Sequence, residues 1–200
     1  MTIDVFGTIK SADALEAAAL ATLEMWFNTY LREMEYQNGI TPNSLISPMA
    51  YISANTIDRE SSNQLPTIVA ISPGFSGKEP YMTGDGLFKA FFSIGIGAFV
   101  SADNRINTMR LVRLYTAVAR TIMIQKGSLG GFANGTVWLD ESYYPDFDFT
   151  DTQTIGVGQA VFEVEVEAVA AKYAGPKTPD TAPGTEWPYV QTVNVTVGRK

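Results

Sequence analysis

Between residues 155 and 170 side-chain character alternates with a period of two. Phe162, Val164, Val166 and Ala168 fall on one side; Glu163, Glu165 and Glu167 fall on the other. An extended strand separates such residues onto opposite faces, so this stretch predicts a half-buried strand with an acidic outer face. Its apolar side must be covered by other parts of the chain.

The cover is legible at residues 12–37. Leu15, Ala19, Leu23, Trp26, Phe27, Tyr30, Leu31 and Met34 recur at three- and four-residue steps, the signature of one apolar helix face. Glu16, Glu24, Arg32, Glu33 and Glu35 are expected mostly on the other faces. Ser11 or Asp13 can cap the start, with Asp13 and Glu16 at capping-box spacing. Asn38-Gly39 supplies the stop, and Pro42 follows. At 1.5 Å per residue the helix would be about 39 Å long. A second helix is expected at about 103–126. Asp103 opens it, Gly127 ends it, and Ile106, Met109, Leu111, Val112, Leu114, Tyr115, Val118 and Ile122 form its wide apolar face.

The remaining strands are shorter or less regular. LISPMAYIS (45–53) can hold only an edge strand because of Pro48. TIVAIS (67–72) reads as a buried strand closed by Pro73-Gly74. At 89–100, Ala90, Phe92, Ile94, Ile96, Ala98 and Val100 alternate with Phe91, Ser93, Gly95, Gly97 and Phe99. Two glycines on one face imply close approach of a helix backbone or of a neighbouring subunit. TVWLDE (136–141) reads as a strand, and YYPDFDFTDTQ (143–153) as an acidic-aromatic loop. Pro176, Pro179 and Pro183 mark a semi-stiff linker. It leads to WPYVQTVNVTVG, where Val193, Val195 and Val197 alternate with Asn194 and Thr196. That segment either folds back as an edge strand or pairs with another chain. The expected organisation is one α+β domain over 1–172. An extended arm follows over 173–200.

Composition narrows the chemistry. The 200 residues include no Cys and no His. Disulfides, thiolate zinc sites, thiol nucleophiles, imidazole ligands and Ser-His-Asp chemistry are thereby removed. With 14 Lys+Arg against 21 Asp+Glu the net charge is −7, which repels phosphate backbones. The start, MTIDVFGTIK, has neither the basic n-region nor the apolar run of a secretory signal. No apolar run approaches the ~20 residues that span a bilayer. The expectation is a soluble protein made in the cytoplasm, with no membrane partner and no cofactor.

Four candidate sites stand beside plainer explanations. Asp140, Glu141, Asp146, Asp148 and Asp151 offer oxygens to a hard cation, and with it metal-dependent hydrolysis. The EF-hand spacing is absent, however, and a solvated or partner-facing loop accounts for them. The glycines of GIGAF and GSLGGFANG do not complete a phosphate-binding motif. Arg110, Arg113 and Arg120 share a helix face; in an acidic chain they are expected solvated, or paired across a subunit boundary with Glu163, Glu165 and Glu167. Trp26 and Phe27 read as core anchors, whereas Trp187, beside Pro188 in the arm, reads as an interface anchor, as in a monomeric module that grips a ligand protein.

The order of elements is a long helix, a short strand before Pro-Gly, a Gly-containing strand, a second long helix, a Trp-bearing strand, an acidic loop and a long Glu/Val strand. It resembles the tail terminator, or tail completion, proteins of long-tailed bacteriophages. The stretches that carry the resemblance are Ala12–Tyr36, Thr67–Gly74, Phe91–Ile124, Thr136–Glu141 and Gly158–Ala168, most of 12–170. The resemblance implies a mixed, mainly antiparallel sheet packed against two long helices, assembled as a ring, typically of six copies, in the neck of the virion. Such a ring caps the tail tube, stops its polymerisation and docks the head connector. DNA passes through an acidic lumen without binding. It implies no catalytic residues. Candidate interface or lumen residues are Arg110, Arg113, Arg120, Glu163, Glu165, Glu167, Asp146, Asp148, Asp151, Trp187, Val193 and Val195. Another neck or tail tube subunit is the neighbouring expectation.

Overall fold

The computed structural model describes residues 10–53, 64–82, 88–149 and 154–167, with side chains for all of these except 82, 88 and 145–149. The Pro-rich linker and the arm, with Trp187, Val193 and Val195, lie outside the described residues, as does Asp151. In chain order the elements are α1 (Ala12–Gln37), β1 (Ala50–Ser53), β2 (Thr67–Phe75), β3 (Tyr81–Met82), β4 (Phe88–Ala102), α2 (Arg105–Gln125), a 3₁₀ turn (Leu129–Gly131), β5 (Gly135–Phe149) and β6 (Thr154–Glu167). The fold is α+β. A mixed sheet runs β1-β2-β4-β6-β5, with the two-residue β3 pairing on β4. β1 lies parallel to β2, and every other pairing is antiparallel.

Parity along the strands decides which face is covered. Ala90, Phe92, Ile94, Ile96, Ala98 and Val100 of β4 are buried together with Ala160, Phe162, Val164 and Val166 of β6. They pair across the ladder, Ile94 opposite Phe162 and Phe92 opposite Val164. Against them pack Leu15, Ala19, Leu23, Phe27 and Leu31 of α1 and Val112, Tyr115, Val118, Ala119, Ile122 and Met123 of α2. Both helices therefore cover one face, and the odd-numbered residues of β4 and β6 look the other way.

Both helices have side-chain N-caps. Ser11 accepts from the Ala14 N–H at 3.2 Å. Asn104, and not Asp103, caps α2 by accepting from the Asn107 N–H at 2.9 Å. Such caps satisfy donors that have no partner inside the helix. Glu16 does not close a capping box. It turns inward, buried, and accepts from the Ser72 N–H at 2.6 Å and from the Ser53 hydroxyl. Ile106 was expected in the apolar face of α2 and is instead exposed; Thr108 and Thr116 are buried on the face that meets the sheet.

Three strand boundaries differ from expectation, and bulges explain two of them. β2 continues through Pro73-Gly74 because the register shifts between Ile71 and Gly74. β5 continues to Phe149 through the stretch expected to be a loop, with a second shift between Tyr144 and Asp148 that holds Pro145. Proline is tolerated at a bulge or on an edge, where its missing N–H breaks no ladder bond. Tyr81–Met82, expected in a loop, forms β3.

The glycines of β4 are not where a helix approaches. A Cβ at Gly95 would meet the Gln159 amide nitrogen at 2.7 Å, and one at Gly97 would meet Phe99 and Val69, all on the uncovered face. The close approach is at Gly158 of β6. A Cβ there would lie 2.0 Å from Thr116 Oγ1 and 2.9 Å from Val112 Cγ1. Gly158 is what lets α2 settle against the sheet.

Candidate functional site

The charged side chains fall into three groups that do different work. The first ties α1 to the loop that follows it. Glu35 is buried and accepts from the Leu45 N–H at 2.7 Å, the Asn43 N–H at 2.9 Å and Arg32 Nη1 at 2.7 Å. Arg32 Nη2 donates to the Leu45 carbonyl at 2.8 Å. Burial pushes the Glu35 carboxyl up, but the two backbone donors and the Arg32 guanidinium outweigh it and hold the group below its ordinary value. Tyr115 donates to the Ile46 carbonyl, and burial pushes its hydroxyl up to about 12. These groups fix the chain path from helix to sheet.

The second group joins α2 to β5. Arg120 Nη1 sits 2.6 Å from the Glu141 carboxylate, and its guanidinium lies over the Trp138 ring at 4.8 Å. Tyr143 donates to Glu141 from the other side, and Arg113 stands 5.7 Å above the Tyr143 ring. Burial and the neighbouring carboxylate raise the Tyr143 hydroxyl above its ordinary value. Two of the three arginines of the stripe are thus committed within the chain. Arg110 is exposed farther along α2, in a shallow apolar depression with Ile106, Met109 and Leu114.

The third group lies on the uncovered face of the sheet, where the Glu row falls as the alternation predicts. Glu163 accepts from Ser76 Oγ at 3.0 Å and pairs with Lys78 at 3.3 Å. Lys89 lies 3.0 Å from Glu165 and 3.8 Å from Glu167. The bond from Lys89 holds the Glu165 carboxyl below its ordinary value despite some desolvation, and Asn134 adds to the effect. The hydrogen bond to Glu165 raises the Lys89 ammonium, with burial opposing it. Within one chain the Glu row and the arginine stripe are on opposite faces, so the row is met by lysines. Lys78 and Lys89 were missed at the sequence level because their partners are fixed only by strand register. Beside this charged end, Ile71 of β2 and Val137 and Tyr144 of β5 are exposed on the same face, next to half-buried Phe99 and Val161 and buried Val69 and Val157.

The acidic stretch 140–151 does not converge among the described residues. Asp140 is exposed, and Glu141 is taken by Arg120 and Tyr143. Asp146 and Asp148 lie on β5, and nothing further is described of their side chains. Among the described residues, no three carboxylates are close enough to hold a metal ion. No helix there is long and apolar enough to cross a membrane. Trp26 is half-buried, with the Lys126 ammonium 4.0 Å from its ring, while Phe27 is the fully buried anchor.

Neither the protein-family models nor the curated proteins contain a match to this chain.

Proposed function

We propose that this chain is a structural virion protein of the tail-terminator kind. It assembles with copies of itself into a ring at the end of a phage tail tube, stops tube growth there and offers the docking surface for the head connector. DNA passes through the acidic lumen without specific binding. The observation that carries this reading is the one-sided sheet. Among the described residues helices cover one face only, and the other combines apolar residues with a charged end. Ile71, Val137 and Tyr144 are exposed apolar side chains there, and exposed apolar groups beside charge are a mark of an association site.

The distribution of chemistry supports the same reading. The carboxylates of the described residues that sit deepest, Glu16, Glu35 and Glu141, are each spent on backbone, hydroxyl or arginine partners inside the fold. A closed ring needs two different complementary patches on each copy. The uncovered sheet face and the exposed end of α2, with Arg110 and Ile106, supply two patches on opposite sides of the chain.

The test is tube capping. Tail tube protein from the same phage, polymerised with this chain present, should give tubes of bounded length with a ring at one end in negative stain. Tubes that grow equally long with and without it would contradict the reading. Open-ended filaments of this chain alone would reassign it as a tube subunit.

A further inference from the structure

The two edges of the sheet are unequal. β1 is four residues long, half-buried, and preceded by Pro48. β5 is fifteen residues long, and among the described residues β6 is its one strand partner, on one side only. Val137, Leu139 and Tyr144 are 59%, 55% and 53% exposed along it. A long apolar edge of this kind is a template for one more strand.

We propose that the β5 edge is the acceptor for the C-terminal segment 187–197 of a second copy, which adds there as a strand. This rests on the ring reading only for closure; strand addition itself needs no ring. Three observations carry it. The segment has the alternation of a strand, and its run Val193–Val197 matches the five-residue regular stretch Asp140–Tyr144 between the two bulges of β5. The charges are complementary. Besides Glu141, which Arg120 neutralises, β5 carries Asp140, Asp146 and Asp148 with no base, whereas 187–200 carries Arg199 and Lys200 with no acid. Like charge disfavours pairing of two β5 edges and favours the basic segment.

The third observation is length, which puts the edge of a second copy within reach. Gly135 pairs opposite Glu165, so β6 leaves the sheet at the end where β5 begins. Passing around β5 to its free edge would span about two strand spacings, roughly 10 Å. The connection 168–186 instead reaches up to about 59 Å when extended at about 3.1 Å per residue. That is far more chain than a return to its own edge requires, and enough to cross to a neighbour.

The chain has no cysteine, so pairs can be introduced cleanly. One population carries Ser142→Cys on β5, and a second carries a single arm cysteine, at 193, 194, 195 or 196 in turn. Mixed under mild oxidation, they should give a disulfide-linked dimer of the two variants for at least one arm position. Placing both changes in one chain and diluting it among excess unmodified chains should remove most of the cross-link. In parallel, a chain truncated after residue 186, with an unchanged circular dichroism melt, should self-assemble at least tenfold more weakly by mass photometry. A synthetic peptide 187–200 should bind its vacated edge, and a peptide with Val195→Pro should not.

Cross-links confined within single chains, or assembly unchanged by truncation together with no peptide binding, would overturn the proposal. Rings that persist without the arm would sink this proposal and leave the terminator reading standing. Open chains linked arm to edge that never close would do the reverse.

Discussion

At the scale of single residues, the carboxylates that matter most to the fold are those that sequence periodicity placed outside the core. Glu35 answers three donors at the end of α1. Its carboxyl, like that of Glu165, is held below the ordinary value of 4.5. A group depressed on folding stabilises fully above its unfolded pKa, and the contribution is lost as pH falls through the folded value. Stability should therefore decline as pH drops below about 4.5. Glu35→Gln should lower the urea midpoint at pH 7 and flatten that acid limb; parallel limbs in variant and parent would contradict the assignment. Lys89, raised on folding, has the opposite sign, and its contribution fades only as pH rises past 10.5. Gly158→Val should destabilise by about 1–3 kcal/mol through overpacking against Thr116 and Val112. Phe162→Ala, fully buried, should cost about 3–5 kcal/mol. Equilibrium denaturation measures both. Period-two alternation was enough to find Phe162. Gly158 was not legible, because which helix crosses a given glycine depends on the packing of distant segments.

At the scale of elements, what was written locally was read correctly and what register decides was not. The bounds of α1 follow from its own apolar stripe and the Ser11 cap. The acidic face of β6 follows from its alternation. β5 was cut short at Glu141 because Pro145 and the aspartates resemble a loop; the strand persists because it lies at the sheet edge and a bulge takes up the proline. The partners of the arginine stripe were equally hidden. Arg120 meets Glu141 because α2 crosses β5, a contact that no spacing encodes. Arg120→Leu leaves Glu141 with the Tyr143 hydroxyl alone. It should destabilise the α2–β5 contact by about 1–3 kcal/mol, the loss expected when a buried acceptor gives up its charged donor. Thermal denaturation of this variant against Arg110→Leu makes the comparison, since Arg110 is exposed and its loss should change little. Equal effects would deny Arg120 its special place.

At the scale of the whole molecule, a single structural asymmetry organises the account. Among the described residues, two helices pack on one face of a five-strand path, and neither a helix on the other face nor a strand beyond β5 is present. The proposed ring covers the other face with a neighbour and the β5 edge with the neighbour's arm. Mass photometry of the pure, full-length chain at increasing concentration tests that claim most directly. The account predicts a discrete species that stops growing, at about six copies of the 21.8 kDa chain. A single 21.8 kDa peak that persists to the highest concentration and in the presence of tail tube would contradict it.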